Sequence, residues 1–408
     1  MRALKINKEY VTEFIIFLYV LFLLQFMGMV TISYSILFAT LLPFILIEIR
    51  KPVAFRNILI ALMIGIGFSM ISSLHFRQQS LLETLQFSLP IFLICFYFFL
   101  LNRNFSLNTV ERVVVFFGIF AATLYIFQFV LLQYGVSLIR TAEKALTASS
   151  TEGERFRMMG SGILSLSFFL CLNKIMTEKN KIIYIICVSL CFIAIVLMGF
   201  RTMIAGLILF TLFLIFKVNW KRKWLILILL PLFTFIMMQI PAVNNRITYM
   251  VEKQQGGEQS FGNSDYVRWV ELDYFMNHHF KSNVEMFFGS GMTGSKSRYG
   301  MEIAALQDTG IYWQDWGLLG LSWMIGVIPV FCMLLYSFTA YRMKVGDEYK
   351  YIGIWFAYLV LISITSREFY RQGNFLIQAF ALYIVFAANK KYQDQKNMNY
   401  ENRNINIS

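Results

Sequence analysis

Apolar positions in this chain fall in long, nearly unbroken runs. They show neither the alternation of a half-buried strand nor the narrow stripe of a surface helix. Runs of the length that crosses a bilayer core, about 17–25 residues, occur near 11–29, 31–49, 57–74, 84–101, 113–135, 159–176, 181–199, 202–217, 223–240, 317–340, 350–366 and 373–389. The stretch 11–47 is too long for one helix through a core about 30 Å thick, and divides near Gly28. Pro43, Pro90, Pro231 and Pro329 lie inside runs, which membrane helices tolerate when neighbours satisfy the freed carbonyls. The pattern predicts an all-α integral membrane protein with about twelve transmembrane helices. Spans 1–9 occupy 1–240, a large extracytoplasmic loop fills 241–316, spans 10–12 occupy 317–389, and the Asn-rich tail 390–408 is expected to be disordered and cytoplasmic.

Composition agrees. Of 408 residues 58% are hydrophobic and 14% charged, against about 25% charged in ordinary soluble domains, and mean hydropathy is +0.61. These values exclude a cytosolic globular enzyme, a disordered chain and a secreted disulfide scaffold. Cys95, Cys171, Cys187, Cys191 and Cys332 all fall in apolar stretches, where cysteine acts as a small hydrophobe, so no disulfide is expected. The first run is too long for a signal-peptide core.

The net charge of +13 is read as basic cytoplasmic loops and not as a nucleic-acid surface. With the N-terminus inside, 22 of the 36 Lys and Arg face the cytoplasm, as do both termini. The two faces differ in kind. The inner set holds 14 Lys and 8 Arg; the outer set holds 4 Lys and 10 Arg, namely Arg77, Arg140, Arg155, Arg157, Arg201, Arg246, Arg268, Arg298, Arg367 and Arg371. Lysine suffices for topology, whereas arginine binds phosphate or carboxylate in planar, bidentate fashion. The outer face is thus equipped for an anionic ligand. Span interiors carry almost no ionisable residue, which argues against an ion-coupled carrier.

Candidate chemistry gathers beyond the spans. Arg201, in Met198-Gly199-Phe200-Arg201-Thr202, stands at the mouth of a helix pair, within reach of a lipid-linked phosphate. The long loop is rich in aromatics, Trp269 among them, which suit a sugar face. Its segment 264–280 reads as an amphipathic surface helix with Trp269 and Phe275 in the membrane interface. Arg268 opens this part. Gly289 and Gly291 permit a turn with exposed amides for an oxyanion, near Arg298. Asp308 and Asp315 lie at the rim of the next span; Asp308 is the better candidate for a general base, and Asp315 for the N-cap of the helix opening at Gly317. Arg367 and Arg371 would share a helical face and clamp a diphosphate, or be neutralised by Glu368. No metal site is expected: His278 and His279 are adjacent, and Glu271-Leu272-Asp273 places its carboxylates on diverging sides of a helix.

Gly199-Phe200-Arg201-Thr202 before a span, Arg268-Trp269, the Gly289-x-Gly291 turn and Asp308 leading into Gly317-Leu318-Leu319-Gly320 together resemble the O-antigen polymerase and ligase superfamily (Wzy-type polymerases and O-antigen ligases). The resemblance covers most of the chain. It implies a bacterial plasma-membrane enzyme, with no cofactor, acting on undecaprenyl-diphosphate-linked oligosaccharide at the outer face. Arg201 and Arg268 would stabilise the departing diphosphate with Asp308 as base, and Arg298, Arg367, Arg371, Trp269, Gly289 and Gly291 would bind substrate. The expected partners are the bilayer, a chain-length regulator and a flippase. The ligases typically carry a histidine before the last glycine pair. No histidine lies between 280 and 408 here, which favours a polymerase over a ligase; a flippase is the alternative from another class.

Overall fold

The computed structural model describes residues 8–29, 33–132, 134–139, 158–178, 182–218, 239, 248, 267–294 and 297–405. Among them the regular structure is helical, with no strand. The apolar run 11–47 breaks at residues 24–29, where Gln25, Phe26 and Met27 all have positive φ, leaving α1 (Lys8–Leu23) and α2 (Tyr34–Glu48).

Among the described residues three helices are long and apolar enough to cross a membrane: α3 (Arg56–Arg77), α4 (Leu81–Arg103) and α5 (Leu107–Leu132), of 22, 23 and 26 residues. α3 ends in a π turn, and α4 tightens to 3₁₀ at Leu93–Cys95, just after Pro90, where the ring removes a helical hydrogen bond. The next elements are α6 (Gly162–Thr177), α7 (Ile182–Met198) and α8 (Arg201–Lys217). Run 223–240 lies outside the described residues, Gln239 excepted. Short pieces follow: α9 (Val267–Asp273), α10 (Asn283–Phe288) and α11 (Arg298–Asp308).

The run 317–340 is not one helix. It splits at Gly326, φ +89°, into α12 (Gly317–Ile325) and α13 (Val327–Arg342). The cause is the loop before it: a Cβ on Gly326 would lie 2.5 Å from Phe288 O, so the loop backbone occupies the space a continuous helix would need. The carbonyls freed at the break are not orphaned. Ser290 N donates to Trp323 O at 2.9 Å, and Gly291 N to Met324 O at 2.7 Å. The chain closes with α14 (Lys350–Ile362) and α15 (Asn374–Ile405). Twelve apolar runs therefore do not become twelve helices of spanning length among the described residues. The tail expected to be disordered instead continues α15 to Ile405. Elongating an existing helix avoids the unfavourable nucleation an isolated segment faces, which a composition-based reading of the tail does not weigh.

α6 is buried on every side, packed by α5, α7, α14 and α15. The first turns of α15, Phe375 to Val385, are also buried. Large apolar side chains instead face outward on the peripheral helices, among them Phe14, Ile64, Phe116, Ile182, Phe213 and Phe331. A belt of that kind exceeds what soluble proteins leave bare and is compatible with a membrane protein.

Candidate functional site

The site is built on a 3₁₀ turn, Trp313–Trp316, that leads into α12. Gly317 makes the junction possible. Its φ is +52°, and a Cβ there would lie 1.9 Å from Ser363 O, the acceptor of Leu318 N at 2.9 Å. Trp313 stacks on Tyr370 with ring centroids 5.8 Å apart. The turn is thereby clamped to the connection between α14 and α15. Asp315 does not cap α12 as expected. It lies within the 3₁₀ turn, exposed, and Trp316 holds the N-cap position with no side-chain cap. Ser363 O takes the first-turn amide that a cap would have served.

Arg367 and Arg371 sit in that connection, residues 363–373, which is a series of turns and not the helix that would place them on one face. They are neighbours all the same: burial first, and then the Arg371 guanidinium, lower the hold of Arg367 on its proton. Arg371 pairs with Glu368, and both are buried. Its Nη1 donates to Ser161 Oγ at 3.0 Å. Asn374 fixes the arrangement, accepting from Gly162 N at 2.9 Å and donating to Glu368 O. Phe200 lies 5.2 Å under the Arg371 guanidinium, and Arg201, the first residue of α8, follows it in the chain. Arg367 differs from Arg371. Its Nη1 donates to a neutral partner, Gln314 Oε1, at 2.8 Å, and its Nε is buried without a hydrogen bond. Among the described residues no carboxylate lies within ion-pair distance of it. Beside the buried Arg371–Glu368 pair, Arg367 adds a half-buried guanidinium that no carboxylate of the described residues pairs.

Across the turn lies Glu271, on α9. It is fully buried. One carboxylate oxygen accepts from Tyr312 N at 3.0 Å; the other makes no hydrogen bond of normal geometry, although the Trp316 indole N–H acts on the carboxylate. Burial pushes its pKa up to about 7; Asp315 adds to the push, while the Tyr312 N–H and Arg268 pull the other way. Asp315 acts electrostatically on both Glu271 and Arg367, so the turn separates the Arg367 guanidinium from a carboxyl group poised near neutrality. Trp269 and Tyr312, each about two-fifths exposed at 42% and 41%, stand over this side, with Trp269 6.3 Å from Trp316. Asp273 is exposed and holds Asn277 at 2.8 Å, so the acid-x-acid pair does diverge.

A second buried polar group adjoins. Arg77, at the end of α3, donates to Glu285 Oε1 and to His279 O, and lies 4.8 Å over the Tyr299 ring. Ser290 Oγ donates to Glu285 Oε1 at 2.8 Å, and Lys281 N to Oε2 at 2.7 Å. His279 Nε2 meets Ser290 Oγ and Tyr299 OH, both at 3.2 Å. Burial, then Arg77, push the His279 pKa down to about 3. Phe275 was expected in the membrane interface; it is buried and stacks on Trp323 with centroids 4.5 Å apart, because the π turn at Tyr274–His278 rotates it into the protein.

Other sequence candidates fall elsewhere. The Gly289 and Gly291 amides cannot cradle an anion. Gly289 N donates to Glu285 O and Gly291 N to Met324 O, both at 2.7 Å. The glycines serve close approach instead, since a Cβ on Gly289 would lie 2.3 Å from Gly326 N. Arg298 is 81% exposed, beside Glu302 at 3.6 Å. Asp308 ends α11 with its side chain exposed. Arg268 is half-buried one turn before Glu271. Arg140, Arg155, Arg157 and Arg246 lie outside the described residues. The sequence presented Glu271 only as half of an acid-x-acid pair; the further signal was a carboxylate sharing one helical face with Arg268 (i,i+3) and Phe275 (i,i+4). Comparison with protein-family models, curated protein sequences and solved structures finds no match for this chain.

Proposed function

We propose that this chain is a glycosyltransferase of the bacterial plasma membrane that polymerises undecaprenyl-diphosphate-linked repeat units into O-antigen, capsule or exopolysaccharide. In this reading the chain passes the bilayer about twelve times with both termini cytoplasmic, and the turn at Trp313–Trp316 faces the outside. The observation that supports it best is the half-buried guanidinium of Arg367 with no carboxylate partner, beside the Arg371–Glu368 pair and across one turn from the buried carboxyl of Glu271.

Each half suits one end of glycosyl transfer. Glu271, with a pKa of about 7, takes the proton from an acceptor hydroxyl near neutral pH. The acceptor oxygen bonds to the anomeric carbon as the bond from that carbon to the lipid diphosphate breaks. The diphosphate leaves with the electron pair, and Arg367, Arg371 and Arg201 stabilise the charge that develops on it. Trp269 and Tyr312 offer ring faces to the sugars. Glu271 takes the base role that the sequence suggested for Asp308, because it is buried against the turn that carries the guanidinium groups, whereas Asp308 is exposed at the end of α11.

The test is purified full-length protein with lipid-linked repeat units as the only substrate. The wild type should extend them, and Glu271→Gln and Arg367→Gln should leave single units on lipid. Long polymer formed by Glu271→Gln would overturn the assignment. A wild type that extends nothing unless an independent acceptor such as lipid A core is added would be a ligase.

A further inference from the structure

The other end of the bundle carries a cavity that the transfer reaction does not use. α3 separates the two ends: its 22 residues span about 33 Å at 1.5 Å per residue, close to the thickness of a hydrocarbon core. Arg77, at one end, belongs to the network beside the candidate site. At the other, the ends of α2 and α4, the start of α5 and the middle of α15 enclose about 610 Å³, within the range of ligand sites, roughly 300–1,000 Å³.

Its lining is divided. Leu101, Phe105, Phe386 and Met398 form an apolar wall, and Lys51, Lys390 and Lys391 stand at the mouth with Glu48 and Asp394. The charges are not equally engaged. Buried Glu48 is occupied by Lys51 at 2.6 Å and Asn102 at 2.8 Å. Lys391 is held by Glu348 at 3.1 Å. Lys390 is exposed, and no carboxylate of the described residues lies within ion-pair distance of it. An ammonium group above an apolar wall, one core thickness from the opposite end, matches a molecule with an anionic head and hydrocarbon tails.

We infer that this cavity binds the headgroup of an anionic glycerophospholipid from the adjoining leaflet, with its phosphate between Lys390 and Lys51 and the upper part of its tails along Phe105, Phe386 and Met398. A lysine near a lipid phosphate contributes about fivefold in binding. The inference does not depend on the glycosyltransferase reading, and its test measures no transfer. Full-length protein is placed in nanodiscs of phosphatidylcholine with one-fifth phosphatidylglycerol, and lipids retained after mild delipidation are counted by native mass spectrometry. The wild type should retain phosphatidylglycerol in preference to phosphatidylcholine. Lys390→Gln, at an exposed position that does not endanger folding, should reduce that preference about fivefold, and Lys390→Glu, which reverses the charge there, should abolish it. Lys344→Gln, at the same end but outside the cavity, should leave it unchanged. Equal retention of the two lipids by the wild type, or equal losses in the Lys344 and Lys390 variants, would overturn the proposal.

Discussion

Two buried polar clusters lie side by side at one end of this protein, and they differ in how completely they are satisfied. Around Arg77 the balance closes. Both oxygens of Glu285 accept hydrogen bonds, the guanidinium has a carboxylate, a carbonyl and an aromatic face, and His279 meets two hydroxyls. Around the Trp313–Trp316 turn it does not. Arg367 leans on a neutral amide, and Glu271 has an oxygen with no hydrogen bond of normal geometry. Buried charge by itself therefore says little about function. A pair that is complete ties the 279–290 segment to α3, whereas charge left unmatched in a folded protein is suited to a charge that arrives from outside.

The largest effect expected from this contrast is on activity at the incomplete site. Glu271→Gln should reduce polymer formation by about 10²–10⁴-fold, the usual worth of a general base. The wild-type rate should rise about tenfold per pH unit up to about 7 and then level off, since the base works only when ionised. A pH profile flat from 5 to 8 in single-turnover assays would remove Glu271 from the chemistry.

The complete cluster should respond in stability. Arg77→Met leaves Glu285 buried without its cation, a loss of about 3–5 kcal/mol, readable as a lower unfolding midpoint in detergent. Arg367→Gln should do the reverse of this: unfolding unchanged or slightly later, because it removes a half-buried cation with no carboxylate partner, and polymer formation lower by about 10–100-fold, from roughly 1.5–3 kcal/mol of charge-assisted hydrogen bonding. If Arg367→Gln unfolds as easily as Arg77→Met, the distinction between the clusters is lost.

Part of this was legible in the sequence. The surplus of arginine expected on the outer face pointed to Arg201, Arg367 and Arg371 among ten arginines; in the structure Arg367 and Arg371 are neighbours, and the residue before Arg201, Phe200, lies under the Arg371 guanidinium. That reading needed only side-chain chemistry. What escaped it depends on the backbone. The break at Gly326 is invisible in an apolar run, because it arises from a loop about 40 residues earlier pressing on the helix. The same contact consumes the amides of Gly289 and Gly291, so a motif that reads as an anion cradle proves to be a packing device. Arg77 and Glu285 stand 208 positions apart, and no local pattern links them. Glu271 was visible but read as half of an acid pair, since its burial depends on α9 packing against the 3₁₀ turn.

The smallest effect, and the one that sets the clusters most directly against each other, is the pH dependence of stability. The His279 pKa is lower in the folded protein, about 3 against 6.5. Its contribution is fully present above pH 6.5 and is lost as pH falls toward 3, because the unfolded chain takes up the proton first. The Glu271 pKa is higher in the folded protein, about 7 against 4.5. Its contribution is present below pH 4.5 and is lost as pH rises through 7. Between pH 4.5 and 6.5 the two slopes oppose, so the wild type should change little. Glu271→Gln removes one slope, and that variant should gain stability as pH rises across the window. His279→Gln removes the other, and that variant should lose stability over the same range. Each change is of the order of 1 kcal/mol, measurable as unfolding midpoints at half-unit pH intervals. If both variants track the wild type across the window, neither group is buried in the way that gives the two clusters their different character.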